Sequence, residues 1–434
     1  YITIGIMFVL GYVAIALEHP IKIDKAASAL FTAVICWVLL TLGKTEIFPL
    51  LGEEATHFIG ESLMHHLSEI SGILFFLLGA MTIVELVDAH GGFSLITDKI
   101  TTLKKSKLLI ILSIVTFFMS AALDNLTTAI VMATLLRKLI SNKKDLWLFA
   151  GIVVIAANAG GAWSPIGDVT TIMLWIGGQV TAGNIISKLI LPSMICLAVP
   201  LTIMAFRMKG NIESLPKDEN GNHNLEISLK EKKLVLYLGF SALLFVPVFK
   251  TLTHLPPFMG ILFGLSVMWA TTELLHKKKE VEKKKKLSIG AVLEKVDTTS
   301  ILFFLGILLA VSALQTAGHL SLLASFLENS IGNIWGINIL IGFLSSIVDN
   351  VPLVAGSIGM YDLATYPQDH IFWELLAYCA GTGGSCLIIG SAAGVAIMGI
   401  LKIDFIWYLK NIALLAAAGY LSGVLTFWLM NMMV

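Results

Sequence analysis

Ser120-Ala121-Ala122-Leu123-Asp124-Asn125-Leu126-Thr127-Thr128 lies in the middle of one apolar stretch, residues 108–140. Ser345-Ser346-Ile347-Val348-Asp349-Asn350-Val351-Pro352 lies in the middle of another, residues 335–363. Each places a polar Asp-Asn pair where a membrane-crossing helix would be most apolar. The arm on either side of the pair is about 13 residues, or roughly 20 Å of helix, and a hydrocarbon core is about 30 Å thick. The arms are therefore expected to be too short to cross. Each stretch reads as a helical hairpin that enters the membrane, turns at the Asp-Asn tip and leaves on the same side. Non-helical backbone at that depth persists only where it is buried in protein or faces a water-filled cavity. Each tip is thus a candidate site.

Composition agrees with a membrane setting. Of 434 residues, 57% are hydrophobic and 13% charged, and the mean hydropathy is +0.88. Soluble chains average about 45–50% apolar and about 25% charged. The formal net charge is zero, so nothing draws the chain toward nucleic acid. Cys36, Cys196, Cys379 and Cys386 all fall in apolar runs with no zinc-ligand spacing, as small buried apolar residues do. The first residue is Tyr1 rather than Met, which leaves room for a preceding segment.

Spans are expected at 2–18, 26–43, 71–88, 184–206, 234–250, 257–275, 299–316 and 406–432. Two more, 146–176 and 373–400, are broken near their middles by glycines. Landmarks recur in order. Ile73-Leu74-Phe75-Phe76-Leu77 returns as Ile301-Leu302-Phe303-Phe304-Leu305 at an offset of 228. Asp124-Asn125 returns as Asp349-Asn350 at 225, Gly160-Gly161 as Gly383-Gly384 at 223, and His19 as His254 at 235. The chain therefore divides into a first repeat, 1–206, a cytoplasmic linker, 207–233, and a second repeat, 234–434. The expected fold is all-α and polytopic. Each repeat has five transmembrane crossings, one of them discontinuous, and one re-entrant hairpin. Five is odd, so the repeats are inverted, an architecture shared by many secondary transporters.

Charge gives the orientation. With residue 1 outside, the inside loops are 19–25, 89–107, 137–145, 207–233, 276–298 and 401–405. They hold Lys22, Lys25, Lys99, Lys104, Lys105, Lys107, Arg137, Lys138, Lys143 and Lys144, and the runs Lys277-Lys278-Lys279 and Lys283-Lys284-Lys285-Lys286. The outside loops hold Glu46, Glu53, Glu54, Glu61, Asp362 and Asp369. Basic loops face the cytoplasm, which puts both chain ends outside. The lysine runs themselves read as solvated loops. Lipid is expected around the chain, and the resemblance given below implies a bacterial inner membrane.

Ionisable groups deep in a span default to function. Glu85, Asp88 and Glu374 lie near span ends and can reach the interface, and His65, His66, His90 and His319 read as interfacial. Asp124, Asp168 and Asp349 lie in mid-membrane breaks. The first tip offers Asp124, Asn125, Thr127 and Thr128 as oxygen donors, and hard cations take several oxygen ligands. Asp124 and Asn125 also suit a cap of the following helix. The first broken span reads Asn158-Ala159-Gly160-Gly161-Ala162-Trp163-Ser164-Pro165-Ile166-Gly167-Asp168. Its glycines permit unusual backbone and Pro165 breaks the helix. A packed kink needs no Asn158, Ser164 or Asp168, so these are candidate ligands too. The second repeat offers Asp349, Asn350, Thr382 and Ser385, with Gly383 and Gly384 at its break. By alignment Gly381 stands for Asn158 and Ser391 for Asp168, so the halves share a backbone device and divide the charge unequally. Sodium is expected at Asp124, Asn125, Asn158 and Asp349. A sodium-bound carboxylate must be ionised and protonation releases the ion, so shared aspartates yield sodium/proton exchange.

At Ser120–Thr128, Asn158–Asp168 and Ser345–Pro352 the chain resembles the NhaD family of bacterial sodium/proton antiporters, within the wider ion-transporter superfamily. The resemblance covers nearly the whole chain. It implies efflux of sodium or lithium driven by proton entry, with no cofactor. It also implies a scaffold part and a transport part that moves like an elevator, in a homodimer. Rivals differ at the tips. Sodium-coupled dicarboxylate carriers carry Ser-Asn-Thr there, whereas these read Asp-Asn-Leu and Asp-Asn-Val, whose aspartates repel an anion. A thiol arsenite site wants several close cysteines, and only Cys386 is at a break. A cation channel could share the oxygen-lined site. An enzyme is not expected, since no Ser-His-Asp set, P-loop or metalloprotease motif is present.

Overall fold

The computed structural model describes all residues except 17, 98–101, 213–226, 278–286, 348 and 433–434. Lys99, Lys278, Lys279, Lys283 to Lys286, Val348 and most of the 207–233 linker therefore lie outside the described residues. The first half of the chain forms α1 (Ile2–Ala16), α2 (Lys25–Leu42), α3 (Ala55–Ala89), α4 (Lys105–Leu123), α5 (Asn125–Leu139), α6 (Lys143–Ala162), α7 (Val169–Ile176) and α8 (Ala182–Arg207). The second forms α9 (Leu229–Thr253), α10 (Pro257–His276), α11 (Thr298–Thr316), α12 (His319–Ile331), α13 (Ile334–Ser345) and α14 (Asn350–Met360). It continues with α15 (Ile371–Gly383), α16 (Ala392–Leu401), α17 (Phe405–Asn411) and α18 (Ala413–Met432).

Among the described residues nine helices are long and apolar enough to cross a membrane, or ten if the bent pair α16–α17 counts as one span. The chain is an all-helical polytopic membrane protein.

Several expected boundaries are corrected. The arms of the first hairpin are not both too short to cross. α4 has 19 residues, about 28 Å at the helical rise, and is one of the nine. It starts at Lys105, ahead of the apolar stretch, and the Lys105 ammonium is held 2.7 Å from Asp145. The arms α5, α13 and α14 do stay short, at 15, 12 and 11 residues. α3 runs for 35 residues, about 52 Å, and takes in Glu61, which was expected in an outside loop, and His65 and His66, which were expected near a span end. The expected span 406–432 is divided into α17 and α18, and α17 bends 116° from α16. α12 corresponds to no expected element. Glu374, in the first turn of α15, is 3% exposed, and its carboxylate accepts from the Asn184 side chain.

The first hairpin does reverse. Only residues 140–142 separate α5 from α6, and Lys105 at the start of α4 meets Asp145 near the start of α6. The end of α5 thus lies beside the start of α4, with the tip at the far end.

Contacts sort the connections into two sets. At one end the Ile212 amide donates to Leu103 O at 2.8 Å, His90 meets His276 at 3.0 Å, Lys295 meets Glu85 at 3.5 Å, and the Trp147 indole donates to Leu401 O at 3.2 Å. At the other end Thr181 donates to Asp369 and the Gln368 amide to Gly178 O, both at 2.8 Å, while the Tyr1 and His319 rings stack at 4.0 Å. The first set joins connections that were expected to share one side, and the second joins connections that were expected to share the other.

The core is built on α6 and α15. Every residue from Phe149 to Ala162 and from Phe372 to Gly383 is buried, as expected of helices apolar on all sides. The four cysteines are buried as well.

Candidate functional site

Both hairpin tips dock on a broken helix by direct backbone contact. A Cβ on Gly160 would fall 2.2 Å from Phe117 O in α4, and one on Gly383 would fall 2.1 Å from Gly342 O in α13. Serines fasten each tip: Ser120 donates to Ala157 O at 2.5 Å, and Ser345 to Ala380 O at 2.8 Å. The breaks also correspond. A Cβ on Gly161 would meet Gly167 O at 2.4 Å, and one on Gly384 would meet Gly390 O at 2.6 Å. Beyond each break the helix restarts on a side-chain cap. Asp168 Oδ1 accepts from Thr170 N at 3.0 Å to start α7, and Ser391 Oγ accepts from Gly394 N at 3.1 Å to start α16. Pro165 lies inside the first break, and Ser164 ties that break to the tip by donating to Ala121 O at 2.6 Å.

The two breaks and two tips meet around Asp168, which is 1% exposed. Asn125 donates to Asp168 Oδ2 at 2.8 Å and to Asn158 Oδ1 at 3.2 Å. Asn350, from the other tip, lies 3.3 Å from both Asp168 oxygens. Asn158 donates to Ser385 Oγ at 2.9 Å and Ser391 Oγ at 2.8 Å. A Cβ on Gly381 would be 3.7 Å from Asp168 Oδ2. Asn158 thus faces the break of the other half, and its aligned partner Gly381 faces Asp168. The tightest contact of that Cβ would be Ala162 Cβ at 3.2 Å, and its distance to Asp168 is an ordinary van der Waals one.

Other expected residues are placed at the edge of this cluster. Asp124 turns to its own helix: Oδ1 accepts from Thr127 N and Oδ2 from Thr127 Oγ1, both at 2.8 Å. Its backbone has φ 102° and ψ 158°, a conformation almost restricted to glycine that costs about 1–3 kcal/mol. Asp349 caps α14 through Val351 N at 3.3 Å from an ordinary backbone, φ −46°. Lys25 lies 3.9 Å from Asp349 Oδ2. Thr128 Oγ1 is buried without a partner among the described residues. Thr382 bonds back to Tyr378 O at 2.6 Å. Asp168 and Asp124 form no ion pair among the described residues.

Two cavities approach from opposite ends. One of about 110 Å³ is lined by Glu85, Asp88, Thr127 and Lys295. The other, about 290 Å³, is lined by His66, Glu69, Met173, Gln315 and Ala355. Neither is lined by Asp168.

Sequence reasoning underrated Ser391 and missed Lys25. The alignment of Ser391 with Asp168 was the available signal for the first. For Lys25, a cation at a helix start, there was none.

Sodium/proton antiporter 1 of Arabidopsis thaliana is 49% identical over 98% of this chain and 71% of its own length. Sodium/proton antiporter 2 of the same plant is 46% identical over 98% of both. The sodium/proton antiporter NhaD of Vibrio cholerae is 30% identical over 99% of this chain and 92% of its own. The chain belongs to the NhaD-type sodium/proton antiporter family. The family model described as a citrate transporter also matches, over residues 12–375, which include both tips and the first break. Membership of this family makes the chain a membrane transporter and not an enzyme.

Proposed function

We propose that the chain exchanges sodium, or lithium, for protons by alternating access, at a site centred on Asp168 between two inverted repeats. The observation that carries this is a buried carboxylate surrounded by neutral amides and hydroxyls. An ionised carboxylate removed from water costs several kcal/mol unless it is compensated, and Asp168 has no cationic partner among the described residues. It is stable there with a proton or with a bound cation. Occupancy by one excludes the other, and that competition is the exchange.

The surrounding amides suit both states. Asn125 and Asn350 direct NH₂ groups at Asp168. A half-turn of each amide presents an oxygen instead, so the same side chains serve a carboxylate or a hard cation. Asn158, Ser385 and the unpartnered hydroxyl of Thr128 add oxygens nearby. Asp124 and Asp349 hold the tips in place and add negative potential. The matched glycine and serine contacts of the two halves support the inverted-repeat reading, with hairpins 108–140 and 335–363. The closed arrangement between two end cavities supports alternating access. The end that gathers Lys104, Lys105 and Lys295 is the cytoplasmic one by the positive-inside pattern. The plant relatives extend the expected setting beyond a bacterial inner membrane.

The citrate-transporter description favours a second reading, carriage of a carboxylate substrate. Asp168 opposes it by repelling an anion at the centre of the site. The test is reconstitution in liposomes loaded with a pH-sensitive dye, under an inward proton gradient. Sodium, lithium, potassium and citrate are added in turn. Sodium and lithium alone should collapse the gradient, and Asp168→Asn should abolish the response. A response to citrate alone, or sodium flux without proton movement, would overturn the proposal.

A further inference from the structure

Away from Asp168, three buried side chains converge at the end of the molecule that gathers the basic loops. His90 follows the last turn of α3, Glu231 lies in the first turn of α9, and His276 ends α10. His90 is fully buried, His276 is 2% exposed and Glu231 9%. His90, expected at the interface, is buried in the protein at this end. One ligand atom from each of the three residues lies within 4.8 Å of the others. His90 Nε2 and His276 Nε2 are 3.0 Å apart, and His276 Nε2 is 3.4 Å from Glu231 Oε1.

We propose that His90, Glu231 and His276 form a binding site for a divalent transition metal of the zinc class. Zn²⁺ bonds of about 2.0–2.1 Å set the ligands of a tetrahedron roughly 3.3–3.4 Å apart, and the observed spacings are close to that. The tautomer agrees independently. His90 Nδ1 lies 2.7 Å from Leu86 O. A carbonyl only accepts, so Nδ1 carries the hydrogen and the neutral ring presents its Nε2 lone pair to the other two residues. Metal-bound histidines characteristically donate their second ring nitrogen to a carbonyl or carboxylate in this way. The set contains two imidazoles and one carboxylate, which suits zinc and its neighbours better than sodium, calcium or magnesium. Zinc is commonly four-coordinate, so water or a further side chain would complete the set.

The position suggests a purpose. α3 belongs to the first half of the chain, and α9 and α10 to the second. A metal there would fasten three helix ends across the two halves, remote from the Asp168 cluster.

The test uses the full chain, purified without a polyhistidine tag, stripped with a chelator and titrated with Co²⁺. Wild type should bind about one equivalent with the intense visible bands of four-coordinate cobalt. Zn²⁺ should displace it and raise the thermal midpoint, whereas Ca²⁺ and Mg²⁺ should do neither. His90→Gln and His276→Gln should lose the bands. If either fails to fold, Glu231→Gln keeps the shape of the cluster and should weaken binding at least about tenfold. Asp168→Asn should bind cobalt as wild type does, which separates this site from the transport site. Substoichiometric binding, or spectra unchanged in Glu231→Gln and both histidine variants, would overturn the proposal and leave the two histidines sharing a proton.

Discussion

The two hairpin tips use the same backbone device and carry different electrostatics. Each presses a backbone carbonyl against a glycine of its broken helix, at Gly160 and at Gly383. Each is fastened by a serine, Ser120 or Ser345. Yet Asp124 holds a strained backbone and forms no ion pair among the described residues, while Asp349 is relaxed and has Lys25 at 3.9 Å. Asp168 belongs to the break of the first half, and the corresponding position in the second is Ser391. The geometry of the machine is shared between the halves, and its charge is concentrated in one. Steric changes should therefore hurt both halves alike, and charge changes should hurt only the first.

The largest effect should come from Asp168→Asn, which removes the ionisable group and keeps its shape. Exchange should fall at least about 100-fold in the proteoliposome assay, equivalent to a loss of roughly 2.7 kcal/mol. Ser391→Ala should retain measurable exchange, since Ser391 holds Asn158 without carrying charge. Equal losses from both would end the asymmetry argued here.

Next come Gly160→Ala and Gly383→Ala. Each new methyl would collide with a carbonyl oxygen, at 2.2 and 2.1 Å. Overpacking of this kind costs about 1–3 kcal/mol, and the two variants should lose similar thermal stability in detergent. A large loss from one and none from the other would show that only one tip is tightly docked.

A smaller and opposite effect is expected at Asp124. Asp124→Gly removes strain of about 1–3 kcal/mol and sacrifices a cap whose replacement by glycine costs only a few tenths. The variant should be more stable by about 1 kcal/mol and transport poorly. Asp349→Gly has no strain to relieve and should be slightly less stable than wild type. Thermal scanning of the pair reads the difference directly.

Lys25→Met should do least. Its contact with Asp349 is long and partly exposed, and such pairs contribute about 0–1 kcal/mol. Exchange rates should change by less than about fivefold. A complete loss would instead place Lys25 in the transport step.

The backbone devices were legible because they are local. An Asp-Asn pair inside an apolar stretch, a double glycine and Pro165 each announce a break within a few residues. Most of the helix order followed from them, α12 and the division of 406–432 excepted. The length of α4 was not legible, because its first turn, Lys105-Ser106-Lys107, is polar and falls outside the apolar stretch. The roles within the site were only partly legible. Asp124, Asn125, Asn158, Asp168 and Asn350 were all selected, but nothing in their spacing said that Asp168 would be central while Asp124 turned to Thr127. Those assignments depend on Asn125 reaching 43 residues ahead and Asn158 reaching 233. Contacts between distant parts of a chain leave no periodic trace. The histidine cluster was hidden for the same reason, since His90 and His276 are 186 positions apart.

The close contacts of Gly160 and Gly383 also limit the mechanics of any movement. With carbonyls resting on bare backbone and serines bonded across each joint, tip and broken helix have almost no freedom to slide past one another. A displacement that exposes Asp168, as the proposed exchange requires, would carry each tip together with its broken helix. Such a block would have few internal degrees of freedom, its travel set by the joints at its margins.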